Sequence, residues 1–105
     1  MTALTDLTPQ MLDAALKAGE VILVDVREPN EFAAARIHGA VNYPLSTFDP
    51  AVLPSEAGKR VVLSCAGGVR SVSAWQHCQL AGVDVGEHLA GGIKAWAAAG
   101  LPVES

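Results

Sequence analysis

Cysteine is scarce in this chain, and so are aromatic side chains and charge. Only Cys65 and Cys78 occur in 105 residues. A small secreted scaffold held by disulfides needs more. If a helix opens near Ser71, Cys78 lies about 10 Å along its axis, and a disulfide tolerates roughly 7 Å between Cα atoms. Both therefore read as reduced thiols, which points to a reducing, cytoplasmic setting. Charged residues make up 17% of the chain, and the net charge is -4. With no basic cluster, nucleic acid and anionic membranes are not expected partners. No run approaches the roughly 18 apolar residues of a membrane span. The opening MTALTDLTPQ lacks the basic and apolar regions of a secretory signal. The three histidines, His38, His77 and His88, are scattered. Their spacing to one another and to Cys65 suggests no metal site, and no metal or organic cofactor is expected. His77 is expected to face solvent and Cys78 to lie in the core.

What is present suits a folded domain. Half of the residues are hydrophobic, enough for a core. The length gives one domain over residues 1–105, and nothing demands an oligomer, so a monomer is expected. Thr8 and Pro9 carry a helix-start signal, with Leu7 and Leu12 as the ends of a hydrophobic staple. That helix should run to about Lys17 and stop at Gly19. Val21 to Val26 is a short apolar run rich in β-branched residues, which suits a strand covered on both faces. Pro29 and the alanines after it favour a short helix. Ile37 to Tyr43 reads as a turn and a brief strand. The segment from Ser46 to Gly58 should hold one short helix. Val61 to Ser64 is a second buried strand, followed by a helix ending near Gly82. Val83 to Leu89 alternates and reads as a further strand. Gly91 and Gly92 form a turn before a last helix, Ile93 to Ala99. Strands alternating with helices predict an α/β fold with a mainly parallel sheet.

The chemistry concentrates in Cys65-Ala66-Gly67-Gly68-Val69-Arg70-Ser71. A cysteine stands at the carboxyl end of a buried strand, where such sheets bind ligands. The glycines permit backbone angles that turn successive N–H groups toward one point. A helix N-terminus adds unpaired N–H groups and positive potential. The loop thus reads as an anion cradle with a nucleophilic sulfur at its floor. The plainer reading of Cys65 is a small buried hydrophobe; its surroundings favour the nucleophile. Arg70 has two roles open to it: drawing in an anionic substrate, or turning away to brace the loop on Asp25, Glu28 or Glu31. Ser71 reads first as a helix cap, with its hydroxyl or amide available to the cradle. Asp25 and Arg27, charges at a strand end on the same edge, read as a structural pair that could support the loop. Trp75 and Trp96 read as packing residues.

Four stretches together resemble the rhodanese-like family, specifically its small single-domain sulfurtransferases. Asp25-Val26-Arg27-Glu28 with Glu31-Phe32 is similar to its first signature. Arg36 to Leu45 resembles the second, although His38 stands where proline is usual and Arg36 where histidine is common. Cys65 to Ser71 resembles the active-site loop. Leu89-Ala90-Gly91-Gly92-Ile93, Trp96 and Gly100 to Val103 resemble the closing signature. The resemblance implies a three-layer fold with a five-stranded, mainly parallel sheet and helices on both faces. It also implies a Cys65 persulfide that accepts a sulfane sulfur from thiosulfate or a persulfide donor. Cyanide or a thiol such as glutathione would take the sulfur off, and thioredoxin or a sulfur-carrier protein is a further candidate acceptor. Ala66 replaces an arginine common in the family, which weakens the expected grip on thiosulfate.

Rival readings share the same cysteine. In a relay, the acceptor would be a protein partner. A non-catalytic module would be expected to lack Cys65, and this chain keeps it. A phosphatase or arsenate reductase also sets a thiolate in an N–H cradle closed by arginine, but its usual loop is one residue longer. The four residues between Cys65 and Arg70 suit a single sulfur atom better than a phosphoryl group with three equatorial oxygens.

Overall fold

Alternation along the two apolar runs sets the layout of the molecule. In the computed structural model, which describes residues 2–105, these runs are adjacent parallel strands. The elements in order are β1 (Thr5–Leu7), α1 (Pro9–Lys17), β2 (Val21–Asp25), α2 (Pro29–Ala34), β3 (Val41–Asn42), β4 (Arg60–Ser64), α3 (Arg70–Leu80), β5 (Glu87–Leu89) and α4 (Gly92–Ala98). The strands form one five-stranded sheet in the order β1-β5-β4-β2-β3, every pairing parallel. Successive side chains of a strand point to opposite faces. Val21, Leu23 and Val62 accordingly pack with Leu12, Ala15 and Trp96 of α1 and α4. Val24 and Leu63 face the other way and pack with Ala74 and Cys78 of α3. Helices thus cover both faces, as the family resemblance implied.

Local signals explain most of the elements. Thr8 caps α1 by accepting a hydrogen bond from the Met11 N–H, and Pro9 opens the helix. Leu7 and Leu12 meet in the same buried cluster. Trp96 is buried and donates its indole N–H to the Pro102 carbonyl at 2.8 Å. His77 is exposed, and Cys65 and Cys78 are both buried and unbridged.

Three expectations need correction. Thr5–Leu7 is a strand, where only a staple residue was expected; it is too short to alternate visibly and gains its ladder from β5. The strand expected over Val83 to Leu89 is confined to Glu87–Leu89, because Val85 donates back to the Val83 carbonyl in a tight turn. In place of the one short helix expected over Ser46 to Gly58 there are two 3-10 turns, Leu45–Thr47, which starts one residue before that segment, and Pro50–Val52. The prolines remove the N–H groups a longer helix would need.

The order of the strands creates the crevice. From β2 the chain moves out to β3; from β4 it moves the opposite way to β5. The carboxyl ends of β2 and β4 therefore sit at a switch in direction, with Asp25 and Ser64 in register. Asp25 and Arg27 form a buried ion pair there. The guanidinium Nη2 donates to Asp25 Oδ2 at 2.7 Å and to the Ala35 carbonyl at 2.6 Å, and Nη1 reaches the Glu31 carbonyl at 3.4 Å. The pair ties α2 to β2. No helix among the described residues is long and apolar enough to cross a membrane.

Removing one partner of a buried ion pair leaves the other uncompensated. Arg27→Met is predicted to lower unfolding free energy by about 3–5 kcal/mol, measured by chemical denaturation. A change under about 1 kcal/mol, the range of an exposed pair, would contradict this account of α2.

Candidate active site

Cys65 follows directly on β4, so the core strand fixes its backbone. Its side chain is 1% exposed. The loop after it turns back over the sulfur, and the Gly68 N–H donates to Cys65 Sγ at 3.0 Å. Gly68 adopts φ +96°, a region that L side chains rarely enter. The first two peptide units of the loop are held from the other side. The carbonyls of Cys65 and Ala66 point away from the sulfur and accept hydrogen bonds from Ile93 and Lys94 at 2.9 and 3.1 Å. Those donors belong to the first turn of α4, whose N–H groups have no partner within the helix. A Cβ at Gly92 would overlap both loop carbonyl oxygens. This close approach is the physical reason for glycine at that position.

Two opposing effects act on the Cys65 thiol. Burial pushes its pKa up; the Ser71 hydroxyl and the backbone amides of Ser71, Gly68 and Gly67 pull it down, and together they win. Its pKa therefore lies below the ordinary thiol value. Cys78 has no such donors, and burial raises its pKa. The same residue type thus has opposite tendencies at two buried positions of one chain.

Arg70, the loop's only cation, makes two parallel hydrogen bonds to Glu31, Nη1 to Oε1 at 2.7 Å and Nη2 to Oε2 at 2.9 Å. Of the three carboxylates considered as a brace, the fold chooses Glu31. The Arg70 hydrogen bonds hold Glu31 at a pKa of about 2, helped by the Glu28 backbone N–H. Glu31 sits on α2, and Arg27 on Asp25 secures α2 to β2. Two charge pairs, Asp25–Arg27 and Glu31–Arg70, are thus joined through the Glu31 backbone carbonyl, which accepts from Arg27, and link β2 to the loop. This arrangement brings together Cys65, Gly67, Gly68, Arg70 and Ser71, and it places Asp25 and Arg27 behind them as support. The Ala66 carbonyl is taken up by α4, and the Val69 side chain is 79% exposed at the rim.

Ser71 is not the helix cap expected from its position. Helix α3 starts one residue earlier, at Arg70, and Val69 offers no capping side chain. The Ser71 side chain is fully buried, with Oγ 3.5 Å from Cys65 Sγ and 2.8 Å from His88 Nδ1. His88 Nε2 lies 2.6 Å from Asp6 Oδ1. His88 is thus joined to the cysteine and is not an isolated histidine. Its strand carried the signal: with Leu89 facing the α1–α4 core, its neighbour His88 must face α3. Asp6 carried none, because β1 itself was not visible in the sequence.

Comparison with known proteins agrees with this geometry. Residues 8–99 match the rhodanese-like domain family. The chain is similar to an uncharacterised protein of Synechocystis, 45% identical over 96 residues, covering 91% of this chain and 54% of that protein. It is 34% identical over 84 residues to a protein of Allochromatium vinosum named sulfurtransferase, covering 80% of this chain and 78% of that protein. Its structure superposes on a thiosulfate sulfurtransferase from Pseudomonas aeruginosa with a TM-score of 0.84 at 28% identity, covering 96% of this chain and 20% of that one. The chain belongs to the rhodanese-like domain family. It spans little more than half the length of its Synechocystis relative.

The Glu31–Arg70 pair gives a pH signature. Because the Glu31 pKa is depressed in the fold, its contribution is complete above the ordinary value of 4.5 and is lost as the pH falls toward about 2. Both side chains are about one-third exposed, so screening limits the effect to about 1 kcal/mol. Glu31→Gln should melt below the parent at pH 6 and converge with it near pH 2, in thermal melts followed by circular dichroism. A gap that stays constant across that range would contradict the assignment.

Proposed function

We propose that this domain, over residues 1–105, is a sulfurtransferase that carries a sulfane sulfur on Cys65. The observation that carries the reading is the buried Cys65 Sγ with the Gly68 N–H 3.0 Å away, in a loop whose arginine is turned onto Glu31. The thiolate attacks the outer sulfur of thiosulfate. A new S–S bond forms at Sγ, the S–S bond of the donor breaks, and sulfite leaves with the electron pair. The product is Cys–S–S⁻, whose terminal anion the amides of Gly67, Gly68 and Ser71 stabilise. Cyanide or a thiolate then attacks the terminal sulfur and releases the Cys65 thiolate, a two-step exchange. A low-molecular-weight persulfide loads the site by the same displacement. The sequence of steps uses no metal or organic cofactor.

Arg70 argues against phosphoryl transfer. That chemistry gains most from a guanidinium aimed at the equatorial oxygens, and here the Nη1 and Nη2 end of Arg70 is turned onto the Glu31 carboxylate. With Ala66 beside the cysteine, the cradle relies on neutral amides. These suit a large, diffuse sulfur anion better than a doubly charged phosphoryl group. The proposed setting is a cytoplasmic monomer, with glutathione, thioredoxin or a sulfur-carrier protein as the class of acceptor.

The test is intact mass after thiosulfate treatment. The parent should gain one sulfur atom and Cys65→Ser none; equal gain by both would overturn the proposal. Arg70→Ala and Glu31→Gln should slow loading by similar factors, since each removes the same brace. Loss in Arg70→Ala alone would instead indicate direct contact with the donor.

A further inference from the structure

Ser71 and His88 are buried polar residues that sulfur transfer, as described above, does not fully use. Ser71 is completely buried, and His88 is 4% exposed. They form part of a continuous chain: Cys65 Sγ, Ser71 Oγ, His88 Nδ1, His88 Nε2 and Asp6 Oδ1, with steps of 3.5, 2.8 and 2.6 Å. The fold holds each member in place. Ser71 is in the first turn of α3, and Asp6 and His88 are register partners on β1 and β5. The chain begins at a buried sulfur and ends at a carboxylate whose side chain is 74% exposed.

Counting protons along the chain allows two arrangements. Ionised Asp6 can only accept, so His88 Nε2 carries a proton in both. When Cys65 is a thiol, S–H donates to Ser71 Oγ, the Ser71 hydroxyl donates to a bare His88 Nδ1, and the ring is neutral. When Cys65 is a thiolate, the Ser71 hydroxyl must donate to sulfur. Oγ can then only accept from His88, so Nδ1 carries a proton and the ring is an imidazolium between Ser71 and Asp6. The two arrangements differ by one proton moved along the chain.

We propose that Ser71 relays the Cys65 proton to His88, so that the nucleophile forms as a thiolate–imidazolium pair with Asp6 behind it. The S–H bond breaks as that proton bonds to Ser71 Oγ, and the original Ser71 proton bonds to His88 Nδ1. No electrons are transferred, and net charge is conserved. His88 is a positioning residue, since it acts on sulfur through Ser71. Its strand neighbour on the other side, Leu63 of β4, is apolar. Among the described residues the titratable groups linked to it are Asp6 directly and Cys65 through Ser71. The relay also adds something Arg70 does not supply. With Arg70 held by Glu31, the imidazolium is a second positive charge, linked to the sulfur through Ser71. This inference rests on the reading of Cys65 as the nucleophile.

The test is the pH profile of Cys65 alkylation by iodoacetamide, followed by peptide mass. His88→Asn keeps a hydrogen-bonding side chain and cannot take the proton. It should alkylate about tenfold more slowly than the parent at neutral pH, equivalent to one pKa unit, and at the parent's rate in strong alkali. In a Ser71→Ala background the same substitution should have no further effect, because the relay is already cut. Parent-like alkylation by His88→Asn at every pH overturns the proposal, as does full additivity of the two substitutions. Should His88→Asn fail to fold, Asp6→Asn decides at an exposed position: about threefold slower alkylation supports the relay, and an unchanged profile overturns it. Alkylation needs no sulfur donor. Failure of sulfur loading would therefore count against the proposed function and leave this result readable.

Discussion

Two hydrogen bonds on the outside of the active-site loop govern what happens inside it. Ile93 and Lys94 at the start of α4 hold the carbonyls of Cys65 and Ala66. A peptide unit that points its carbonyl one way points its N–H roughly the other way. Anchoring the Cys65 and Ala66 carbonyls to α4 therefore turns the Ala66 and Gly67 N–H groups the other way, and the positive φ of Gly68 completes the turn that brings its own N–H onto the sulfur. The arrangement requires Gly92 to sit against the loop backbone and Gly68 to take a positive φ. It also requires β4 and β5 to lie side by side, so that the end of one strand delivers the cysteine and the end of the other delivers α4. The sheet order is thus part of the chemistry.

Charge is arranged in the same indirect way. The two arginines of the strand-end edge are committed to carboxylates, Arg27 to Asp25 and Arg70 to Glu31. What contacts the sulfur directly are amide dipoles, fixed in the backbone before charge develops, and the Ser71 hydroxyl, behind which His88 stands. That distinction bears on substrate. An open guanidinium would favour hard, multiply charged oxyanions. A cradle of neutral amides is what the proposed sulfur chemistry would use. The fold thus places its arginine where it joins the loop to α2.

Most of the plan was legible in the sequence. Continuous β-branched runs located β2 and β4, and the thiol-glycine-arginine loop before a helix located the site. Thr8 and Pro9 marked the start of α1. What stayed hidden depended on contacts distant in the chain. β1 has three residues and no pattern of its own; it exists because β5 offers a ladder. Arg70 had three carboxylates within reach of a plausible fold, and only the docking of α2 on Arg27 singles out Glu31. Ser71 was assigned to capping from its place beside the loop, and the start of α3 one residue earlier turns its hydroxyl inward instead. His88 and Asp6 are 82 positions apart, and neither has a local signal that it will meet the other. Partners brought together by a parallel sheet cannot be read from spacing, because nothing local sets the register between strands from opposite ends of the chain.

The central claim is that the Ser71 hydroxyl and the loop amides together lower the Cys65 pKa in a place where burial alone would raise it. Cys78 provides an internal comparison, since it is buried without those donors. The most direct measurement is the thiolate titration of the two cysteines in the parent protein, followed residue by residue through differential alkylation. Cys65 should ionise below the free-cysteine value of about 8.5 and Cys78 above it. Titration of both above that value would contradict the account.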